Sequence, residues 1–191
     1  DALSIERAAV AGLSAGGMWA AEMALMAPAR VSALVLLNTF LGPEPEDRRA
    51  RYLDMLNTVA DLQEVPGVML DALTTLFFSP ESVANAHPAI ADFRESLVEW
   101  PREKLDGLVA VGRSVFSRRD ALARLSDLTC PVLILAGQHD VSRPPEESEV
   151  MKHQLSDARL KILNCGHVSA VEQPAAVSEA IRAFLDEVDW Y

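Results

Sequence analysis

The sequence predicts an α/β protein built on a parallel sheet flanked by helices, with a helical insertion in the middle. Three observations predict it. Short apolar runs of the kind that fill buried parallel strands recur along the chain. Helical patterns lie between them, and alternating strand and helix implies a parallel sheet with helices on its faces. One long stretch, residues 42–128, carries helical periodicity and no obvious strand. With 191 residues there is room for one full domain, or for a domain carrying an insertion.

The first strand is R-A-A-V-A-G, Arg7 to Gly12. It ends in a Gly-rich turn, and Ala20 to Met26 supplies helix formers up to Pro28. V-S-A-L-V-L-L, Val31 to Leu37, is the second strand. The insertion opens on G-P-E-P-E-D, which is turn chemistry. Helical spacing follows at Tyr52, Leu53, Leu56, Val59 and Ala60, then at Val68, Leu70, Leu73, Leu76 and Phe77. Pro80, Pro88 and Pro101 break the remainder into helix-length pieces. The third strand is P-V-L-I-L-A-G, Pro131 to Gly137, and the fourth is R-L-K-I-L, Arg159 to Leu163. Helices are expected near Glu146 to Leu155 and Ala175 to Val188. The expected organisation is therefore core over 1–41, helical cap over 42–128 and core again over 129–191.

Composition narrows the function. Half the residues are hydrophobic and 24% are charged, which suits a globular chain and not a disordered one. A formal net charge of -11 argues against non-specific nucleic-acid binding, which rests on Lys and Arg neutralising phosphates. No apolar run approaches the roughly 20 residues of a membrane helix, and no secretion signal is visible. Cys130 and Cys165 fall at opposite ends of neighbouring parallel strands, beyond the ~7 Å reach of a disulfide. Two unpaired cysteines fit a reducing compartment, so a cytoplasmic location is expected. No His, Cys, Asp or Glu pair has metal-ligand spacing, and no metal or cofactor is expected.

Three residues carry the chemistry. Gly12-Leu13-Ser14-Ala15-Gly16 is a G-x-S-x-G motif between a predicted strand and a predicted helix. A sharp strand-to-helix turn there would hold the serine in a strained conformation with its hydroxyl clear of the sheet. The helix that follows would aim N–H groups and its positive dipole end at the site, with Ala15 N–H as an oxyanion donor. Alone the motif is a weak signal, since Gly and Ser recur in ordinary turns. Its context is what counts. A serine needs a base to remove its proton, and the base needs an acid to fix its tautomer. Asp140 follows the third strand in G-Q-H-D, and His167 follows the fourth in N-C-G-H-V-S. All three fall at carboxyl ends of parallel strands, where such sheets build their sites.

From Arg7 onward nearly the whole chain resembles the second half of an α/β-hydrolase. The resemblance rests on G-L-S-A-G-G-M-W, P-V-L-I-L-A-G-Q-H-D and C-G-H-V-S-A-V-E-Q-P. It implies Ser14 as nucleophile, Asp140 as acid, His167 as general base, no cofactor, and a cap over the site. The elbow, L-V-L-L-N-T and H-V-S-A-V-E-Q-P look most like 3-oxoadipate enol-lactone hydrolases, with esterases and cofactor-free haloperoxidases sharing much of the pattern. Serine at position 14 departs from haloalkane dehalogenases, which use aspartate. The resemblance also implies eight strands with the elbow after the fifth, so the first four are absent here. Their loss removes a second oxyanion donor, worth roughly 100- to 1000-fold in rate. It also leaves an apolar edge, which a missing N-terminal half or a symmetry mate is expected to cover.

The expected function is hydrolysis of a small ester or lactone, a carboxylate-bearing one included. The alternatives are perhydrolysis or haloperoxidation on the same triad, and a catalytically inactive fragment that needs its N-terminal half. Trp19, Trp100, Arg113 and Phe116 are candidate substrate contacts. Met18 is a further candidate, and Arg94, Arg118 and Arg119 could also hold a substrate carboxylate. His87, His139 and His153 read as surface or hydrogen-bonding residues, and Glu44, Glu46 and Asp47 as a solvated turn.

Overall fold

A computed structural model of the chain describes residue 2, residues 4–188 and residue 190. Its sheet has four parallel strands in sequence order: β1 (Ala8–Leu13), β2 (Val31–Leu37), β3 (Val132–Gly137) and β4 (Ala158–Leu163). β2 and β3 are buried along their whole length, which explains their unbroken apolar runs. The pleat sends alternate residues to opposite faces. Leu34, Leu36 and Ile134 pack with α1 (Ala15–Met26) and α7 (Pro145–Gln154) on one side. Ala33, Val35, Leu37 and Leu135 pack with α9 (Pro174–Glu187) on the other. That helix presents Val177, Ala180 and Phe184 at helical spacing. A short helix, α8 (Ser169–Glu172), precedes it.

The helix after the first turn starts at Ala15 and takes Gly16 and Gly17 into its first turn. Glycine lowers helix propensity, but the turn at Ser14 leads straight into the helix and overrides it.

Between β2 and β3 lie α2 (Glu46–Leu62), α3 (Gly67–Phe77), α4 (Pro80–Ala84), α5 (Pro88–Val98) and α6 (Arg102–Phe116). The prolines that punctuate this stretch open helices, since a proline in the first turn gives up no intrahelical bond. Pro80 and Pro88 are first residues of α4 and α5, and Pro101 immediately precedes α6. Tyr52, Leu56 and Val59 form the buried face of α2 as their spacing predicts. Val68 is a correction, being 79% exposed while Leu70 and Thr74 are the buried residues of α3. A separate apolar cluster of Val59, Val65, Leu70, Leu97, Leu105 and Val109 holds α2, α3, α5 and α6 together.

Two surfaces are unusual. β1 pairs with β2 on one side, and its residues are only partly covered apart from buried Gly12 and exposed Ala11. Beside it, α1 exposes Trp19 (57%), Met23 (44%) and Met26 (80%) on one stripe. Among the described residues, no helix is long and apolar enough to cross a membrane.

Candidate active site

The carboxyl ends of all four strands converge on one place. Ser14 directly follows β1 and sits at φ 53°, ψ -121°, a backbone conformation that costs a non-glycine residue energy. Four bonds hold it there: Ser14 N–H donates to Leu37 O (2.9 Å), while Ser14 O accepts from Gly17 N–H (2.9 Å), Met18 N–H (3.3 Å) and Thr39 Oγ1 (2.7 Å). Gly12 explains the motif's first glycine. A Cβ at that position would lie 2.3 Å from the carbonyl carbon of Gly16, so the turn closes only without one. Ala15, first residue of α1, has an N–H with no intrahelical acceptor.

Asp140 and His167 are both buried, at 3% and 4% exposure. His167 Nδ1 lies 2.9 Å from Asp140 Oδ2. Two further donors reach the same carboxylate. Asn38 Nδ2 donates to Oδ2 (3.0 Å) and Arg143 N–H to Oδ1 (2.8 Å). With Nδ1–H donating to Asp140 Oδ2, Nε2 is left with its lone pair free. The His167 ring stacks on Phe77 of the cap, with centroids 5.2 Å apart.

Ser14, Ala15 and His167 share a cavity of about 330 Å³ roofed by the cap helices. That size lies within the range of small-molecule sites. Its floor adds Met18, Ser142 and Arg143, and its walls are almost wholly apolar. Among the described residues, no group of three or more His, Cys, Asp or Glu could hold a metal ion.

A family model described as the alpha/beta hydrolase fold matches residues 1–174. This chain belongs to that family. A protein of Pseudomonas syringae pv. syringae, provisionally named carbamate hydrolase RutD, is 28% identical over 189 residues, covering 97% of this chain and 70% of the relative. The 3-oxoadipate enol-lactonase 2 of Acinetobacter baylyi is 25% identical over 189 residues, covering 97% and 66%. Among solved structures, a thermophilic esterase from Thermogutta terrifontis superposes with a TM-score of 0.83 at 28% identity, covering 95% and 65%. The chain thus spans about two thirds of the length of the relatives it matches. An α/β-hydrolase with enol-lactonase and esterase relatives is what the motifs lead one to expect.

The hydrolase site departs from the sequence reading in three ways. Trp100 and Phe116 line the cavity, but Trp19 points to solvent and Met18, one residue earlier, takes the place at the floor. Arg113 lies outside too, donating to Asn57 Oδ1 (2.9 Å) at the surface, and Arg94 pairs with Asp71 at 2.7 Å. Glu44 is no solvated turn residue: its side chain is fully buried, paired with Arg143 and with Arg118 Nη1 (2.9 Å). Burial lowers the Arg118 pKa, and the hydrogen bond to Glu44 opposes that. This cluster ties the start of the cap, its end and the Asp140 loop into one joint, which no local pattern around Glu44 announces.

Two positioning groups also escaped the sequence reading. Asn38 follows β2 at φ 46°, a left-handed conformation that Asn tolerates, and bridges Asp140 to Gly166 O (3.1 Å). Its place at the carboxyl end of a central strand was the available signal. Glu172 accepts from Gly166 N–H (2.7 Å), Ser79 N–H (3.0 Å) and Ser82 Oγ (2.6 Å), joining the histidine loop to the cap. Gly166 permits this contact, because a Cβ there would meet the Ser79 nitrogen at 2.6 Å. His87 caps α5 through Nδ1 and Ala89 N–H (3.3 Å), and His139 meets Asn164 at the surface. Cys165 is fully buried, and burial foremost, with Glu172 and Asp140 adding to it, pushes its thiol up to about 12. It is a packing residue.

Proposed function

We propose that the chain carries the catalytic residues of a serine hydrolase that cleaves a carboxylic ester or lactone through an acyl-enzyme. The observation that carries this reading is the buried His167–Asp140 pair, 2.9 Å apart, in a cavity that Ser14 also lines from its strained turn. His167 Nε2 takes the Ser14 proton as Oγ bonds to the carbonyl carbon, and the C=O electron pair moves onto oxygen. Ala15 N–H donates to that oxyanion. Collapse of the intermediate expels the alkoxide, which leaves with the proton from His167. Water then attacks the acyl-enzyme, giving its proton to the same nitrogen, and Ser14 is regenerated as the acid departs. Asp140 holds the ring in place and balances the imidazolium charge.

A substrate carboxylate has little to bind here. Arg143 is the one guanidinium or ammonium among the described lining residues, and Glu44 and Glu147 already occupy it. The reading is therefore of a substrate neutral around its reacting carbonyl. Ser14→Ala is expected to abolish turnover of p-nitrophenyl esters, and unchanged turnover refutes the assignment.

We infer further that the free edge of β1 and the Trp19–Met23–Met26 stripe are covered by strands and helices of a longer form of this chain. The support is a strand with one edge unpaired among the described residues, beside an apolar stripe, in a chain two thirds the length of its relatives. The expected behaviour of the 191 residues alone is self-association and binding of an apolar dye. A monodisperse monomer that binds no dye contradicts it. Two free cysteines lead us to assign the enzyme to the reducing cytoplasm.

A further inference from the structure

The shape and chemistry of the cavity go further than the reaction type. Three cap helices each stand on the core by one end. α2 does so through Arg48, bonded to Ser142 O (3.3 Å) and Glu147 (3.0 Å) near its start. α3 stands on its last residue, Phe77, whose carbonyl accepts from His167 N–H (2.8 Å). α6 is held just beyond its end, through Arg118 and Glu44. Cavity-lining residues climb from each foothold: Tyr52 to Val59 on α2, Phe77 to Met69 on α3, Phe116 to Leu108 on α6. At 1.5 Å per residue, those spans are each about 10–12 Å long.

The charged and catalytically able groups of the cavity gather at the floor, in Ser14, Ser142, Arg143 and His167, and the walls add the Tyr52 hydroxyl at the foot of α2 and the Trp100 indole. Above them the lining is aliphatic or aromatic, and its upper residues Val59, Val65 and Leu97 belong to the cap's own apolar cluster. The site is a shaft with reactive chemistry at the bottom and hydrocarbon walls above.

Two independent measures give its capacity. A cavity of about 150 Å³ holds one benzene, so a volume of 330 Å³ suits roughly a dozen carbon-sized atoms. An extended chain advances about 1.2 Å per bond, so a shaft of about 10–12 Å takes roughly eight to ten bonds. The measures agree.

Resting on the ester-hydrolase reading above, we propose that the substrate is an ester carrying an unbranched apolar chain of about eight to ten carbons, which fills this shaft. The chain belongs to either the acyl or the alcohol side, and two substrate series separate these. Turnover by the full chain is measured on p-nitrophenyl esters from acetate to hexadecanoate, and on alkyl acetates of the same lengths. Each buried methylene adds up to about four-fold in kcat/KM. The expected result is a rise of at least about 50-fold from the two-carbon member to an optimum at eight to ten carbons in one series, with a fall beyond about twelve. Val59→Phe, which fills the upper shaft, is expected to lower the ratio of the ten-carbon to the four-carbon member about ten-fold or more in whichever series shows the optimum. An optimum at two to four carbons, or a ratio untouched by Val59→Phe, overturns the proposal.

Calorimetric titration with octan-1-ol and butan-1-ol tests the shaft without chemistry. Octan-1-ol is expected to bind at least about 50-fold more tightly, with a negative heat-capacity change. Tight octanol binding with no ester turned over sustains the shaft and sinks the hydrolase reading. Turnover with equal binding of the two alcohols does the reverse.

Discussion

Asn38 holds two loops of the candidate site together. Its amide donates to Asp140 Oδ2 and to Gly166 O, so it fixes Asp140 and the residue next to His167 with one side chain. A hydrogen bond to a charged group is worth about 1.5–3 kcal/mol, or about ten- to a hundred-fold in rate if it is needed in the transition state. Asn38→Gly keeps the left-handed backbone and removes the amide. It is expected to lower kcat by that factor with little change in KM, and steady-state kinetics on one ester decides; an unchanged kcat means that Asn38 is structural only. Glu172 makes a second prediction. Burial works to raise its carboxyl, but hydrogen bonds from Ser79, Ser82 and Gly166 outweigh it and bring the pKa below the usual value. The ionised form is thus favoured by folding. Its stabilisation is complete above the ordinary glutamate pKa and is lost as pH falls through the lowered one. Glu172→Gln is expected to flatten the loss of stability on the acid side, read as urea midpoints from pH 6 down to pH 3; parallel curves for the two proteins contradict this. The position of Ser14, Asp140 and His167 at one end of the sheet is legible because each follows a strand whose sequence is unmistakable. Asn38 and Glu172 are not, since their roles depend on partners 102 and 93 residues away, in Asp140 and Ser79.

Among the elements, the strands were the most legible. Val31–Leu37 and Val132–Gly137 are buried on both faces, so nothing but apolar residues fits, and the sequence shows it. The first turn of α1 is less legible, because Gly16 and Gly17 look like loop and yet serve the tight turn. The proline-marked helices of the cap were seen as breaks where the structure has beginnings. Glu44 is the largest miss, because acidic residues beside prolines look like a solvated turn until Arg118 and Arg143 arrive from elsewhere in the chain. Removing one partner of a buried ion pair typically costs about 3–5 kcal/mol, whereas a surface glutamate costs under about 0.5. Glu44→Ala is expected to fall in the first range by guanidinium denaturation. A loss below about 0.5 kcal/mol would mean that the joint between cap and core holds without it.

At the scale of the molecule, the sheet and the cap divide the work. Parallel strands bring Ser14, Asn38, Asp140 and His167 to one rim, and the cap closes over that rim on the Glu44 and Glu172 joints. The sheet's contribution was legible because alternation of strand and helix dictates which ends of the strands converge. The cap's contribution was not: its five helices could pack in several ways, and only their packing shows that Trp100 faces the cavity while Arg113 does not. The central claim is that Ser14 is the nucleophile, activated by the His167–Asp140 pair. Intact mass spectrometry after treatment with a fluorophosphonate tests it most directly. The account predicts a single adduct that maps to Ser14 and disappears in Ser14→Ala. No adduct, or one that persists in Ser14→Ala, would contradict it.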